Sequence, residues 1–122
     1  MLNIVTTFVK QYFSHNRIIY SHIRKITGYP PGDFSFYKTA LTHKSASTTD
    51  KRGNNVNNER LEYLGDAVLG AVIADYLFRK FPGADEGFLT QMRSKIVSHE
   101  KLNELSKLVG VSDLIIANTG RY

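Results

Sequence analysis

Residues 58–69 have the sequence NERLEYLGDAVL, which continues through apolar residues to Lys80 before Phe81-Pro82-Gly83 interrupts it. The apolar spacing predicts one long helix from about Glu59 to Lys80. Asn58 is of a residue type that caps helix N-termini, so we expect it to cap this helix. Because apolar residues lie on more than one side of the helix, we expect it to be central and largely buried.

Three carboxylates share one face of this predicted helix. At about 100° per residue, Glu59, Glu62 and Asp66 lie within an arc of about 60°. Glu62 and Asp66 form a like-charged pair four residues apart, which destabilises an isolated helix by about 0.2–0.5 kcal/mol. Mg²⁺ is usually held by one or two carboxylates together with water and phosphate oxygens, so the pair is a candidate magnesium site. The alternative is structural, with Glu59 and Glu62 stabilised by the helix N-terminus and by arginines.

The chain before this helix predicts three helices and a loop. Apolar residues recur at helical spacing in residues 4–13 and again in residues 19–26, which indicates two helices at the start of the chain. A short third helix is expected from Phe34 to near His43. Residues 45–58, SASTTDKRGNNVNN, are polar and rich in Asn, and they predict an exposed loop.

Two more helices are predicted after Gly83. Asp85 begins the first, Ser98 caps the second, and Gly110 closes it. No segment alternates in the manner of a strand, so we predict an all-α class in one domain, residues 1–122. Apolar residues continue to Ala117 with no closing element, and we therefore expect the helical bundle to be incomplete at its C-terminal end.

The composition excludes several functional classes. The 122 residues contain no Cys, which excludes disulfides, thiolate zinc sites and Cys nucleophiles. No apolar run approaches the roughly 20 residues that a membrane span needs. The lack of Cys is consistent with a reducing compartment, and we expect a cytoplasmic protein. Residues 1–32 contain four basic residues and no acid, so a targeting segment remains an alternative there.

The net charge of +5 is distributed unevenly. Residues 1–58 carry +6, residues 59–86 carry −3 and residues 87–122 carry +2. Basic surfaces attract phosphate backbones, whereas acids among them repel phosphate unless a divalent cation lies between. This pattern indicates a nucleic acid partner and a metal ion, and scattered solvated charges are the alternative explanation.

The stretch NERLEYLGDAVL closely resembles the signature of the ribonuclease III family, in which that helix carries acidic metal ligands. The resemblance extends to residues 26–47, ITGYPPGDFSFYKTALTHKSAS, and to residues 81–111. By position, Glu62 matches the family's first metal-binding glutamate and Asp66 its catalytic aspartate. Glu59 and Glu86 match two further acids of the family's acidic cleft. The resemblance implies the family's helical endonuclease fold, assembled as a homodimer.

The resemblance also implies an activity, which is endonucleolytic cleavage of double-stranded RNA, including ribosomal RNA precursors, with Mg²⁺ and with Mn²⁺ as its substitute. Glu62 would hold the metal and Asp66 would help to position water. In the family, a later helix adds an aspartate and a glutamate, and a C-terminal domain binds double-stranded RNA. This sequence shows neither, so we expect the chain to be a truncated piece that is inactive alone. Two alternative functions are a non-catalytic RNA-binding or ribosome-associated module and a small helical DNA-binding protein.

Overall fold

The computed structural model describes the backbone of residues 2–118 and the side chains of residues 13–118. In this part of the chain five α-helices follow one another: α1 (Leu2–Thr27), α2 (Phe34–Leu41), α3 (Glu59–Lys80), α4 (Glu86–Ile96) and α5 (His99–Val109). Short strands β1 (Thr48–Thr49) and β2 (Asn55–Val56) precede α3, and single 3₁₀ turns lie at Lys44–Ala46 and Ser112–Leu114. The predicted helical class is confirmed. Within residues 2–118, no helix is long and apolar enough to cross a membrane.

Helix α1 is one continuous helix of 26 residues, so the prediction of two separate helices at the start of the chain is wrong. No Gly or Pro lies between residues 4 and 26 to break it, and the apolar register continues through Ile19 and Ile23, both of which are buried. Gly28 ends the helix in a left-handed conformation with φ of 79°, and its N–H donates to the Arg24 carbonyl at 2.9 Å.

The described chain divides into two compact units, one ending at Lys38 and the other beginning at Thr39. In the first unit, the Asp33 carboxylate accepts hydrogen bonds from the Ser35 hydroxyl at 2.6 Å and the Ser35 N–H at 2.9 Å. These bonds hold the pKa of Asp33 below its ordinary value, because they favour the charged carboxylate. The Tyr20 and Phe34 rings of the same unit lie 6.1 Å apart.

The segment between α2 and α3 contains more regular structure than its polar composition indicates. Helix α2 ends at Leu41, close to the end predicted near His43, and the His43 ring nitrogen accepts from the Ser45 N–H at the 3₁₀ turn that follows. Strands β1 and β2 then pair antiparallel, with Thr48 opposite Val56. The predicted exposure is largely confirmed, but the prediction of a loop without strands is wrong.

The ends of α4 and α5 confirm the residues assigned to them from the sequence. Asp85 caps α4 by accepting from the Phe88 N–H at 2.8 Å, and Ser98 caps α5 by accepting from the Lys101 N–H. Gly110 closes α5 with φ of 79°. Each residue performs the function for which its type is favoured, namely a short oxygen acceptor at an N-terminus and Gly at a C-terminus.

The burial of α3 differs from expectation. Leu77 is its one buried residue, with 2% of its surface exposed, whereas Tyr63 is 83% exposed and Val68 is 56% exposed. Helix α4 packs against the C-terminal part of α3, and the Phe81 and Phe88 rings meet edge to face at 5.4 Å. The expectation of a largely buried helix is therefore wrong within the described chain, because six of the large apolar side chains of α3 keep half or more of their surface exposed.

Candidate metal site

The side chain that bonds to the start of α3 is that of Asn57, which is next to the predicted cap, Asn58. The Asn57 side-chain oxygen accepts from the Glu59 N–H at 3.0 Å, and its amide group donates to the Ser47 hydroxyl at 2.9 Å. Asn58 occupies the N-cap position, as predicted, but its side chain makes no capping hydrogen bond. Four asparagines precede α3 in the segment NNVNN. The residue type therefore predicted a cap, but it did not show which side chain makes the hydrogen bond.

Residues 41–43, at the end of α2 and just after it, form backbone hydrogen bonds both with the start of α3 and with Ile116 near the C-terminal end. The Asn58 N–H donates to the Thr42 carbonyl at 2.8 Å. On the other side, the Ile116 N–H donates to the Leu41 carbonyl at 2.8 Å, and the His43 N–H donates to the Ile116 carbonyl at 2.9 Å. These bonds tie residues 41–43 to the C-terminal segment and to α3. No sequence pattern predicted these bonds, and the two that involve Ile116 join residues more than 70 positions apart.

Glu59, Glu62 and Asp66 are all exposed on the first two turns of α3. A rise of about 1.5 Å per residue places Glu62 about 4.5 Å and Asp66 about 10.5 Å along the helix axis from Glu59. None of the three carboxylates forms an ion pair with another described residue, and none accepts a side-chain or backbone hydrogen bond there. The predicted pairing with arginines is therefore not seen among residues 13–118.

Other acids of the same chain do have partners. The Asp75 carboxylate of α3 pairs with the Arg79 guanidinium at 3.0 Å, and Glu104 pairs with Lys101 at 2.9 Å. All four side chains are more than half exposed, so each pair contributes only a few tenths of a kcal/mol, about 0.3–0.5. Acids without a partner are thus a property of the N-terminal half of α3 and not of the whole helix.

Glu86 lies apart from the other three acids. It begins α4, where its carboxylate accepts from the Thr90 hydroxyl at 2.8 Å, and it lines a cleft between α3 and α4 together with Asp75. Asp75 is nine residues beyond Asp66, which corresponds to about 13.5 Å along the helix. Glu59, Glu62 and Asp66 therefore lie along the first two turns of α3, and Glu86 lies near the other end of that helix.

The carboxylate pair Glu62 and Asp66 fits a hard divalent cation. The two side chains are one helical turn apart, exposed and unpartnered, and Mg²⁺ commonly uses one or two carboxylates with water in its other positions. Within the described residues, no group of three or more His, Cys, Asp or Glu side chains is arranged to hold a metal. These residues therefore offer two carboxylates on one open face, and they do not form an enclosed site.

Known proteins are similar to this chain over most of its length. A family model described as Ribonuclease-III-like matches residues 33–121, which include α2 to α5. The Ribonuclease 3 of Azobacteroides pseudotrichonymphae is 46% identical over 114 residues, covering 93% of this chain and 43% of that protein. The Ribonuclease 3 of Flavobacterium psychrophilum is 47% identical over 106 residues, covering 83% of this chain and 43% of that protein. The chain thus spans less than half the length of these curated relatives.

Solved structures of a nuclease domain are also similar to this chain. One structure of the nuclease domain of ribonuclease III from Campylobacter jejuni matches with a TM-score of 0.70 and 35% identity, over 80% of this chain and 64% of that one. That domain is described as structurally flexible in the region involved in dimer formation. A second structure of the same domain matches with a TM-score of 0.68 and 34% identity, over 81% of this chain and 63% of that one. The helical arrangement is therefore that of a known nuclease domain.

Proposed function

The chain belongs to the ribonuclease III family, and on this premise we propose that it carries the metal-binding helix of a Mg²⁺-dependent endonuclease for double-stranded RNA. The observation that carries the proposal is the pair Glu62 and Asp66, exposed and unpartnered one turn apart on α3. An i, i+4 pair of carboxylates destabilises a helix unless a cation lies between them. A bound divalent ion removes this cost and provides the charge that a phosphate substrate needs.

Glu62 and Asp66 hold the metal in this proposal, and Mn²⁺ substitutes for Mg²⁺ because both accept carboxylate and water ligands. When bound, the ion stabilises negative charge that develops on the phosphate in the transition state. Glu59 shares the same face and adds to the negative potential that attracts the cation. Asp66 would also help to position water near the phosphate. Glu86, bonded to Thr90, is proposed only as a more distant part of the acidic surface.

Two carboxylates alone hold Mg²⁺ weakly, because this ion gives up its hydration water reluctantly. Since the described residues provide no third ligand beside Glu62 and Asp66, we propose that the 122-residue chain alone does not cleave RNA. The activity then belongs to a protein in which further ligands complete the site. Ribosomal RNA precursors are the duplex-containing substrates on which this activity is best tested.

A second copy of the chain is the proposed partner of the exposed apolar face of α3. Leu64, Val68, Val72 and Tyr76 recur every four residues, and each is between 50% and 58% exposed. An apolar stripe of this length on one helix is typical of an interface, since isolated soluble chains rarely expose one. Sedimentation of the wild type and of Val68→Asp tests this assembly. Loss of the dimer in the variant is expected, and a monomeric wild type contradicts the proposal.

The proposed metal site is tested by calorimetric titration of Mg²⁺ and Mn²⁺ into the 122-residue chain. Glu62→Gln and Asp66→Asn are expected to abolish weak binding, because each removes one of two anionic ligands. Asp75→Asn is the matched control, since it removes a carboxylate of the same helix that already has a partner. Equal loss of binding in all three variants would contradict the assignment of the site to Glu62 and Asp66.

The catalytic proposal is tested with the complete product of the gene. Glu62→Gln and Asp66→Asn should lower the rate of double-stranded RNA cleavage by about 100-fold or more, as loss of transition-state charge stabilisation does elsewhere. Asp75→Asn should remain within a few-fold of the wild type. A wild-type protein that binds duplex RNA and never cuts it would indicate the non-catalytic RNA-binding module instead.

A further inference from the structure

A basic turn lies directly before the helix that carries the candidate metal site. Strands β1 and β2 pair with Thr48 opposite Val56 and Thr49 opposite Asn55, and residues 50–54, DKRGN, connect them. We refer to residues 50–54 as the hairpin tip. It places Lys51 and Arg52 next to each other at the exposed end of the hairpin.

The Asp50 carboxylate organises the hairpin tip from within. It accepts from the Arg52 N–H at 2.8 Å, from the Asn54 N–H at 2.9 Å and from the Asn54 side-chain amide at 3.1 Å. Gly53, with φ of 83°, provides the left-handed residue that closes the turn. The bonds from Asn54 hold the pKa of Asp50 below its ordinary value. The turn is therefore preorganised at neutral pH, where this carboxylate is ionised.

Lys51 and Arg52 have no partner within the described chain. Both are exposed, and neither side chain forms a hydrogen bond or an ion pair with another of residues 13–118. The nearest acid, Asp50, already uses its oxygens for the N–H groups of the turn. The two cations are thus held on an ordered element with their donors directed to no other group of the chain.

The position of the hairpin tip relates these cations to the acids of α3. Arg52 and Asn57 are five positions apart in the sequence, so their Cα atoms lie at most about 17 Å apart. Asn57 is the residue whose side chain bonds to the start of α3. Despite this proximity, neither Lys51 nor Arg52 pairs with Glu59 or Glu62 in the described chain. The basic and acidic groups remain separate, as a ligand with phosphates requires.

We propose that the hairpin tip binds the phosphate backbone of duplex RNA, with Lys51 and Arg52 as the contact residues. The choice of RNA as the nucleic acid rests on the proposed function. Lys and Arg are donors only, and contacts of this kind position a protein on phosphates without reading sequence. Residues 48–58 contain no aromatic side chain on which a base could stack, which favours a duplex backbone over a single strand. The ordered turn lowers the entropy cost of binding.

The proposal is tested by fluorescence anisotropy of the 122-residue chain with a short RNA duplex in EDTA, which excludes cleavage and metal binding. We expect the double variant Lys51→Ala and Arg52→Ala to weaken binding about tenfold or more and to lower the salt slope by about 2. The control is the double variant Lys95→Ala and Lys107→Ala, which removes the same charge from exposed positions on α4 and α5. It should leave the slope almost unchanged, and an equal change in both would overturn the proposal.

A second variant separates preorganisation from net charge. Asp50→Ala raises the net charge by one, so simple electrostatics predicts tighter RNA binding. The proposal predicts weaker binding, because Lys51 and Arg52 lose the ordered turn that presents them. Tighter binding by Asp50→Ala, or equal loss of single-stranded RNA binding in the Lys51 and Arg52 variant, would overturn it. Because EDTA removes the metal, the two proposals are tested separately. Loss of cleavage in the Glu62 variant together with normal duplex binding by the Lys51 and Arg52 variant would support the proposed function and overturn only the proposal for the hairpin tip.

Discussion

In the C-terminal half of α3, Asp75 pairs with Arg79 at 3.0 Å and Leu77 is 2% exposed. In the N-terminal half of the same helix, Glu62 and Asp66 have no partner in the described chain and Leu64 is 57% exposed. The two halves contain the same residue types, acids and leucines, in the same secondary structure. They differ in what surrounds them, since Asp75 and Leu77 line the cleft between α3 and α4.

This difference distinguishes the partnered acids of α3 from those we propose as metal ligands. An exposed i, i+4 ion pair such as Asp75 with Arg79 stabilises a helix by about 0.3–0.5 kcal/mol, so its presence is explained by stability alone. Glu62 with Asp66 is destabilising by a similar amount, so stability does not explain it. The cation that we propose to bind between Glu62 and Asp66 would explain why both acids are present. The same comparison applies to apolar residues, because Leu77 is explained by packing, whereas Leu64 is 57% exposed and lies on the face that we propose as an interface.

The largest expected effect concerns the buried leucine. Leu77→Ala should lower the free energy of unfolding by about 2–5 kcal/mol, because it leaves a cavity where α3 meets α4. Leu64→Ala, the same change in the other half of the helix, should cost about 1 kcal/mol or less. Urea denaturation at one low protein concentration measures both. Equal costs would mean that the N-terminal half of α3 is also buried in solution.

The next effect concerns the cap of α3. Asn57→Ala should cost about 1 kcal/mol, because it removes the acceptor for the Glu59 N–H and the donor to the Ser47 hydroxyl. Asn58→Ala should change the free energy of unfolding by less than about 0.5 kcal/mol, since the Asn58 side chain makes no capping bond. Thermal or urea unfolding compares the two, and a larger loss in the Asn58 variant would contradict the observed cap.

These caps show where local sequence is sufficient to predict structure. The bounds of α3, and the caps of α4 and α5 at Asp85, Ser98 and Gly110, depend on residues within one turn of the helix end, and the sequence analysis identified them correctly. At α3, Asn58 occupies the predicted N-cap position, but the side chain that bonds to the helix start is that of the chemically identical Asn57. Only the three-dimensional position of Ser47 distinguishes them.

The remaining errors arose where the outcome depends on distant parts of the chain. Apolar residues on α3 indicate a capacity for burial, but whether Tyr63 or Val68 is buried depends on what packs there. The continuity of α1 was missed because a polar stretch inside a helix resembles a break when the register is not followed across it. For the candidate site, helical periodicity was enough to place Glu62 and Asp66 on one face. The position of Glu86 depends on how α4 packs on α3 and could not be read from periodicity.

The smallest expected effect is a change in the free energy of unfolding when Asp is replaced by Asn in each half of α3. Asp66→Asn should raise the free energy of unfolding by about 0.2–0.5 kcal/mol at low ionic strength, because it removes repulsion from Glu62. Asp75→Asn should lower it by about 0.3–0.5 kcal/mol, because it breaks the pair with Arg79. Asp66 lies two turns inside the helix, where the charge of the N-terminus contributes little, so the sign depends on Glu62.

Added cation should then reverse the order of these variants. Changes of this size correspond to about 1–3 °C in melting temperature for a domain of this length, which replicate thermal scans resolve. With Mg²⁺ at millimolar concentration, the wild type and Asp75→Asn should gain stability and Asp66→Asn should not, since a ligand stabilises only the chain that binds it. If Asp66→Asn is destabilising without the cation, the carboxylate has a structural partner in solution. In that case the contrast between the two halves of α3 does not identify a metal site.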